Sequence, residues 1–362
     1  MSHTALLPEL PRTPCLLLDE RRMDANIAAM AQRMERLGAR LRPHVKTHKS
    51  PEVMARQLAA GAAGITVATT REAEVMADAG ADDILLAYPP VGAFRLKEIG
   101  ELARRARLTV ACSEPDHVRS LSRLGAEVDF YWEIEVGTGR LGTPPGEPTA
   151  EILDGLGEEA GARLTGILSF PGHAYAAYSG EERRRIAAAE KDALEATAEA
   201  LRARGIDPGT LSAGATPLTA AAPAWPAEYR FGNYVFNDAT QVGLESATLD
   251  ECAVTVAATV VGRPAADRVI LDAGSKALAA ERMSAVTETF GIVRDHPELA
   301  VRRLYEEHAI CEVAGATDLR LGDRVEVVPN HACTCVNLHE EYTVIGRDEG
   351  FGAWPVAARG WS

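Results

Sequence analysis

The chain has 362 residues, 46% of them hydrophobic, which is enough for one large domain with a sizeable core and a smaller second one. A formal net charge of -14 with no segregated basic patch argues against a nucleic-acid partner. No run of about 18 apolar residues offers a membrane span, Met1-Ser2-His3-Thr4 lacks the pattern of a secretory leader, and six scattered cysteines fit a reducing, cytoplasmic setting.

In chain order, Thr13 to Asp19 predicts a short apolar strand, Asn26 to Leu37 a helix, and Leu41 to Val45 a second strand with Lys46 at its carboxyl end. Alternation continues with strands at Gly64 to Ala68, Asp83 to Tyr88, Leu108 to Cys112, Asp129 to Val136, Leu164 to Phe170 and Thr210 to Gly214. Helices are expected between them at Arg71 to Ala79, Ala93 to Ala106, Pro115 to Leu124 and Glu181 to Arg204. Roughly eight βα units in about 230 residues is the arithmetic of a (β/α)8 TIM-type barrel, with a doubly wound sheet as the competitor. After Val242 the texture changes. Cys252 to Val261, Arg268 to Asp272, Gly291 to Val293 and Arg324 to Pro329 are β-rich runs without a long helix between them. The expected domains are a barrel over 13–242 and a β-rich, metal-binding domain made of 243–362 together with 1–12.

Several segments carry chemistry. Lys46 lies in Arg42-Pro43-His44-Val45-Lys46-Thr47-His48-Lys49, either as a solvated charge or as an amine held for a carbonyl at a strand's carboxyl end. Gly137-Thr138-Gly139-Arg140 follows another strand and would aim Arg140 over a barrel mouth; a surface arginine reads the same. Pro171 to Tyr175, with Tyr178, follows the next strand, as ring contacts or as loop anchors. Ser212-Ala213-Gly214-Ala215-Thr216-Pro217 and Gly232-Asn233-Tyr234 bring small residues and hydroxyls that suit a phosphate cradle or a plain turn. His331 and Cys333, two apart on an expected extended segment, would share a face and one metal ion, with positions left open for water or substrate. Imidazole with thiolate suits zinc better than magnesium; a free buried cysteine beside a surface histidine is the alternative. Cys335 is expected on the face of Cys333, and His339 and His308 are weaker candidates.

Taken in order, Arg42 to Lys49, Ser212 to Pro217, Gly232 to Asp238, Leu271-Asp272-Ala273-Gly274 and Pro329 to Cys333 resemble the D-threonine aldolase and D-serine dehydratase family. The resemblance covers nearly the whole chain. It implies an alanine-racemase-like fold of pyridoxal phosphate (PLP) fold type III, a barrel followed by a β-domain, in a homodimer. It makes Lys46 the Schiff-base lysine, and His331 and Cys333 the ligands of a divalent metal, zinc or else manganese or magnesium. Gly214, Thr216, Gly232 and Tyr234 become the phosphate site, and Arg140 and Tyr178 contacts of the cofactor ring. The implied activity is that of a lyase on D-β-hydroxy-α-amino acids. Retro-aldol cleavage to glycine and an aldehyde stands ahead of dehydration to a keto acid and ammonia; a racemase or a non-catalytic PLP carrier stands further back. One position departs from the aldolase pattern: Cys333 stands where aldolases resemble His-x-Asp, and His-x-Cys is similar to the dehydratases. The flanks Gly137 to Arg140, Val336 to His339 and Ala358 to Gly360 look aldolase-like.

Overall fold

The computed structural model describes residues 7–157, 163–225, 227–282, 288–346 and 350–360. They fall into two compact units. One contains Ala28–Lys46 and Pro51–Gly232; the other contains the described parts of Met1–Ile27, Thr47–Ser50 and Asn233–Gly360.

β1 (Cys15–Asp19) corrects the expected domain boundaries. It is not a barrel strand. It pairs antiparallel with Val254–Ala265 and parallel with Glu341–Ile345, inside the second unit. The reason is legible in its burial: all five residues are buried, and a run without a polar face reads alike in a barrel and in the middle of an antiparallel sheet. Leu16, Leu17 and Leu18 are each fully buried, roughly 1.5–3 kcal/mol apiece of hydrophobic stabilisation. The later boundary also moves, from 242 to Gly232.

The barrel unit holds β2 (Arg40–Leu41), β3 (Ile65–Val67), β4 (Asp83–Leu86), β5 (Arg107–Cys112), β6 (Asp129–Ile134), β7 (Arg163–Ser169), β8 (Thr210–Ala213) and β9 (Glu228–Tyr229). All pair in parallel, in the order β2-β9-β8-β7-β6-β5-β4-β3. The circuit closes beyond β2, where the Ala63 and Thr66 amides donate to the Leu41 and Pro43 carbonyls at 2.8 Å, and His44 bridges Thr66. Helices Pro51–Ala59, Thr70–Asp78, Ala93–Leu102, Pro115–Ser122, Glu147–Leu156 and Gly180–Ala203 alternate with the strands. Two of these start on a hydroxyl cap: Thr69 accepts from the Glu72 amide and Ser179 from the Glu182 amide, both at 3.1 Å.

Near the amino ends of the strands, buried Arg42 holds Glu228 (Nε to Oε2, 2.9 Å) and both oxygens of Asp83 (2.8 and 3.1 Å). Gly64 makes room for this cation, since a Cβ there would lie 2.4 Å from an Arg42 nitrogen.

The second unit is β-rich, as expected. β10 (Val254–Ala265), β11 (Arg268–Leu271), β12 (Ile292–Val293), β13 (Leu299–Leu304), β14 (Ala309–Val313), β15 (Arg324–Val328), β16 (Glu341–Ile345) and β17 (Gly352–Pro355) join β1 in one nine-stranded sheet. Its order is β11-β14-β13-β12-β15-β10-β1-β16-β17, and β10 also pairs with β11, so six strands form a closed circuit. No helix among the described residues is long and apolar enough to cross a membrane.

Candidate active site and metal pair

The run that begins at β2 stays extended to His44 and then tightens into a turn at Val45–Thr47, leaving Lys46 at the carboxyl end of the first barrel strand. Lys46 is half-buried, and its Nζ lies 5.8 Å from the centroid of the Phe170 ring. Among the described residues this amine has no hydrogen bond or ion pair. A cation over a ring is worth about 0.5–1 kcal/mol where water reaches it, too little to lock the amine away from a carbonyl. The Arg140 guanidinium stands 4.9 Å from the same ring and donates to Glu133 at 3.3 Å. The structure therefore brings Lys46 and Arg140 together on Phe170.

The loop that carries Arg140 is set by Glu135, whose carboxylate accepts from the amides of Gly137 (2.6 Å), Thr138 (2.7 Å) and Gly139 (2.8 Å). Desolvation is the largest single influence and works against its charge, but these amides together hold the carboxyl below its ordinary range. Thr138 ties this loop to the next: its hydroxyl donates to the Phe170 carbonyl at 2.5 Å and accepts from the Gly172 amide at 3.2 Å. His173 packs against Gly137, and its Nδ1 is buried with no hydrogen-bond partner among the described residues.

Tyr178 does not join this group. It is 78% exposed at the start of helix Gly180–Ala203, where its amide donates to Glu182 at 3.0 Å. After β7 the chain makes a tight turn over Gly172–Ala176 and carries Tyr178 outward, so Phe170 is the aromatic beside Lys46.

The expected phosphate residues divide. Gly214, Thr216 and Gly232 lie in the barrel unit just past β8 and β9, whereas Tyr234 lies in the other unit. The Gly214 amide is already spent, donating to Glu190 Oε1 at 2.9 Å. Its glycine is required for close approach: φ is +96°, and a Cβ would lie 2.7 Å from Phe231 and 2.9 Å from Tyr229. Ser212 is spent too, donating to Glu228 at 3.0 Å and accepting from Arg230 at 2.6 Å. Thr216, buried at the head of the turn Thr216–Ala221, keeps the expected hydroxyl in place.

Beneath these loops lies a buried polar network that sequence reasoning missed. Glu190 also accepts from the Ser169 hydroxyl at 2.7 Å, and Arg230 donates to the Ser169 carbonyl. Burial pushes the Glu190 carboxyl up to about 7, although Gly214, Ser169 and Arg230 all favour its charge. The network ties the ends of β7 and β8 to the chain just past β9. A half-buried amine without a polar partner, a guanidinium beside it, an unpartnered imidazole nitrogen and a buried threonine hydroxyl fit PLP.

The second unit holds the metal candidates, by a route other than the expected one. His331 is extended (φ -138°, ψ 109°), but it caps the short helix Ala332–Val336, so Cys333 sits in a helical turn and not on a strand. The two side chains still lie close enough to interact. Helical geometry also explains Cys335, which was expected on the same face. Two helical residues apart is about 200° around the axis; Cys335 points away and donates to the Ala277 carbonyl at 3.2 Å. His339 Nε2 lies 2.9 Å from that same carbonyl, and His308 is an exposed residue between β13 and β14. None of these three joins the pair.

Three other residues do. His331 Nδ1 lies 2.8 Å from Glu281 Oε2, which also accepts from Thr334 at 3.0 Å. Buried Asp238 accepts from the Ala332 amide and the Gln241 amide, each at 2.9 Å, joining the short helix Ala239–Gly243 to Ala332–Val336. The Thr47 hydroxyl is 3.2 Å from Cys333 Sγ. Burial lowers the affinity of His331 for a proton, yet Cys333, Glu281 and Asp238 outweigh it and hold the imidazole pKa well above its ordinary value. A metal ion in place of that proton would gain the same attraction. Among the described residues no group of three His, Cys, Asp or Glu side chains forms a metal cage. Imidazole and thiolate thus make a two-ligand set that fits zinc with open positions.

Asp238 left a trace in the sequence, the spacing Asp238-Ala239-Thr240-Gln241 of a helix start. Glu281 and Glu190 left none.

Comparison with known proteins identifies the family. Residues 18–239 match the family model of the alanine racemase N-terminal domain, and residues 253–345 match that of the serine dehydratase domain. The chain is 32% identical to D-threonine aldolase of Arthrobacter sp over 97% of its own length and 93% of the relative's. It is 34% identical to D-threo-3-hydroxyaspartate dehydratase of Delftia sp. (strain HT23), over 96% and 98%. The crystal structure of D-threonine aldolase from Filomicrobium marinum matches with a TM-score of 0.88 at 31% identity, covering 96% of this chain and 95% of that one. This chain therefore belongs to the D-threonine aldolase and D-serine dehydratase family, built on the alanine racemase-like fold.

Proposed function

We propose that the chain is a PLP- and divalent-metal-dependent lyase that cleaves D-β-hydroxy-α-amino acids between Cα and Cβ, giving glycine and an aldehyde. The observation that carries the reading is chain continuity at the amine. Lys46 is followed at once by Thr47, whose hydroxyl touches Cys333 of the His331–Cys333 pair. The amine for a carbonyl and a residue that touches the donor pair are thus consecutive in the chain. When bound, PLP supplies an electron sink for the bond broken at Cα, and the metal supplies Lewis-acid stabilisation at the β-oxygen.

The chain's own residues do the rest. Lys46 Nζ is the amine that would hold the cofactor's aldehyde, and it could carry a proton at the substrate's Cα. Arg140, stacked on Phe170, places positive charge beside the ring. Thr216, Gly232 and Tyr234 bind the phosphate, with Glu190 and Arg230 fixing the strand ends beneath. His331 and Cys333 hold zinc in preference to manganese or magnesium. A homodimer in the cytoplasm accompanies this reading; six free cysteines, five of them buried, support the reducing setting.

Cys333 favours a second reading, dehydration to a keto acid and ammonia. The Delftia relative is named for that reaction and the Arthrobacter relative for the aldol one. Lys46 would then remove the Cα proton, with the same Lewis-acid contribution falling on the departing β-hydroxyl. Both readings share one test. Purified protein with PLP and zinc should consume D-threonine and D-phenylserine and spare the L-isomers, and chelation should abolish turnover until metal is returned. Equal turnover after exhaustive chelation would count against both.

A further inference from the structure

We infer that Glu281 is the positioning residue of the metal pair: its carboxylate fixes the ring of His331 so that Nε2 is the nitrogen left for the ion. The inference deepens the proposed metal reading and rests on it.

Three observations converge. First, Glu281 Oε2 lies 2.8 Å from His331 Nδ1, a hydrogen-bond distance that commits this nitrogen to the carboxylate. A carboxylate accepts and does not donate, so Nδ1 keeps its proton against Glu281 and Nε2 is the nitrogen whose lone pair an ion would take in place of a proton. That is the tautomer a metal ligand needs, and a carboxylate behind a ligating histidine also raises the basicity of the ring. Second, the carboxylate is itself held. The Thr334 hydroxyl lies 3.0 Å from the same oxygen and 3.1 Å from the His331 carbonyl and shares its one proton between these two acceptors, so histidine, threonine and glutamate form one ring of contacts. Third, the backbone carrying Glu281 is pinned to the strand end that precedes His331. The Asn330 side-chain amide donates to the Glu281 carbonyl at 3.1 Å and to the Thr289 carbonyl at 2.6 Å. The segment that supplies the carboxylate and the segment that supplies the imidazole are thereby held in one register.

Glu281 lies 50 residues before His331 in sequence, and no third ligand accompanies the pair among the described residues. With two protein ligands, orientation of each matters more than in a closed four-ligand site, where the remaining ligands would hold the ion. The structure thus assigns to Glu281 the job of presenting His331.

The experiment is zinc binding to the full-length chain, measured by competition with a chromophoric chelator. Wild type, Glu281→Gln, Glu281→Ala and Glu281→Leu are compared, with apo-protein melting temperature followed in parallel. Expected is a weakening of zinc affinity of about 10- to 100-fold in Glu281→Ala and a smaller loss in Glu281→Gln, whose oxygen still accepts from Nδ1. The melting temperature of the metal-free protein should stay within a few degrees of wild type, and kcat should recover at saturating zinc. Wild-type zinc affinity in a stably folded Glu281→Ala overturns the inference and leaves the metal reading standing. If Glu281→Ala melts early, Glu281→Leu decides, since it keeps the bulk and removes the acceptor: undiminished affinity there overturns it as well. Absence of stoichiometric zinc on wild type overturns both.

Discussion

Replacing Lys46 by alanine should leave a folded chain whose turnover of D-threonine falls by about 10⁴-fold or more. The stability side of this prediction follows from the environment. Lys46 Nζ makes one cation–ring contact, at 5.8 Å to Phe170, and its backbone turn is held by neighbouring residues. Removing the side chain therefore costs no more than about 1 kcal/mol. The activity side follows from the chemistry: the amine that holds the aldehyde and carries the proton has no substitute in that turn. Lys49, three residues on, is buried and donates to the Ala358 carbonyl at 3.3 Å. Borohydride treatment of wild type with PLP, followed by peptide mass spectrometry, should place the covalent adduct on Lys46. Lys46→Arg keeps the charge but forms no Schiff base, and should be as inactive as the alanine variant. An adduct on another lysine, or an active Lys46→Arg, would remove this residue from its assigned role.

The second large effect concerns the pair His331 and Cys333. Each alanine variant removes one of two protein donors, so zinc affinity should fall by more than the roughly 100-fold expected for loss of a supporting contact, and turnover at limiting zinc should fall with it. Added zinc should rescue these variants poorly, in contrast to Glu281→Ala. Cys333→Asp is the informative variant. It exchanges a soft thiolate for a hard carboxylate, so the preferred activating ion should shift from zinc toward manganese or magnesium. Activity with each metal, measured after chelation and reloading, reads this out; an unchanged metal preference would separate Cys333 from the ion.

Much of this architecture was legible before the structure, though not always for the right reason. The expected strand count was eight and the barrel has eight, but the sets differ. β1 was counted in and belongs to the antiparallel sheet; β9 was missed, because two residues, Glu228 and Tyr229, carry no period. The errors cancel, since a fully apolar strand says nothing about its neighbours and a very short one says nothing at all. Lys46 was readable because strand ends in parallel barrels face the chemistry and an Arg-Pro-His-Val run marks one. His331 and Cys333 were paired through strand alternation, and the structure pairs them through a helix start. That same change of local geometry sends Cys335 to Ala277. Tyr178 and Phe170 exchanged places because the turn at Gly172–Ala176 could not be seen in a Gly-His-Ala-Tyr-Ala string. Glu281 and Glu190 stayed invisible, since their importance lies in contacts made across 50 and 24 residues.

The bond broken at Cα is tested most directly by product analysis on D-threonine and D-threo-3-hydroxyaspartate with PLP and zinc. Carbon–carbon cleavage yields glycine with acetaldehyde or glyoxylate, one aldehyde per glycine, and no ammonia; that is the predicted result. Ammonia with 2-oxobutanoate or oxaloacetate, and no glycine, would contradict it and assign the site to dehydration.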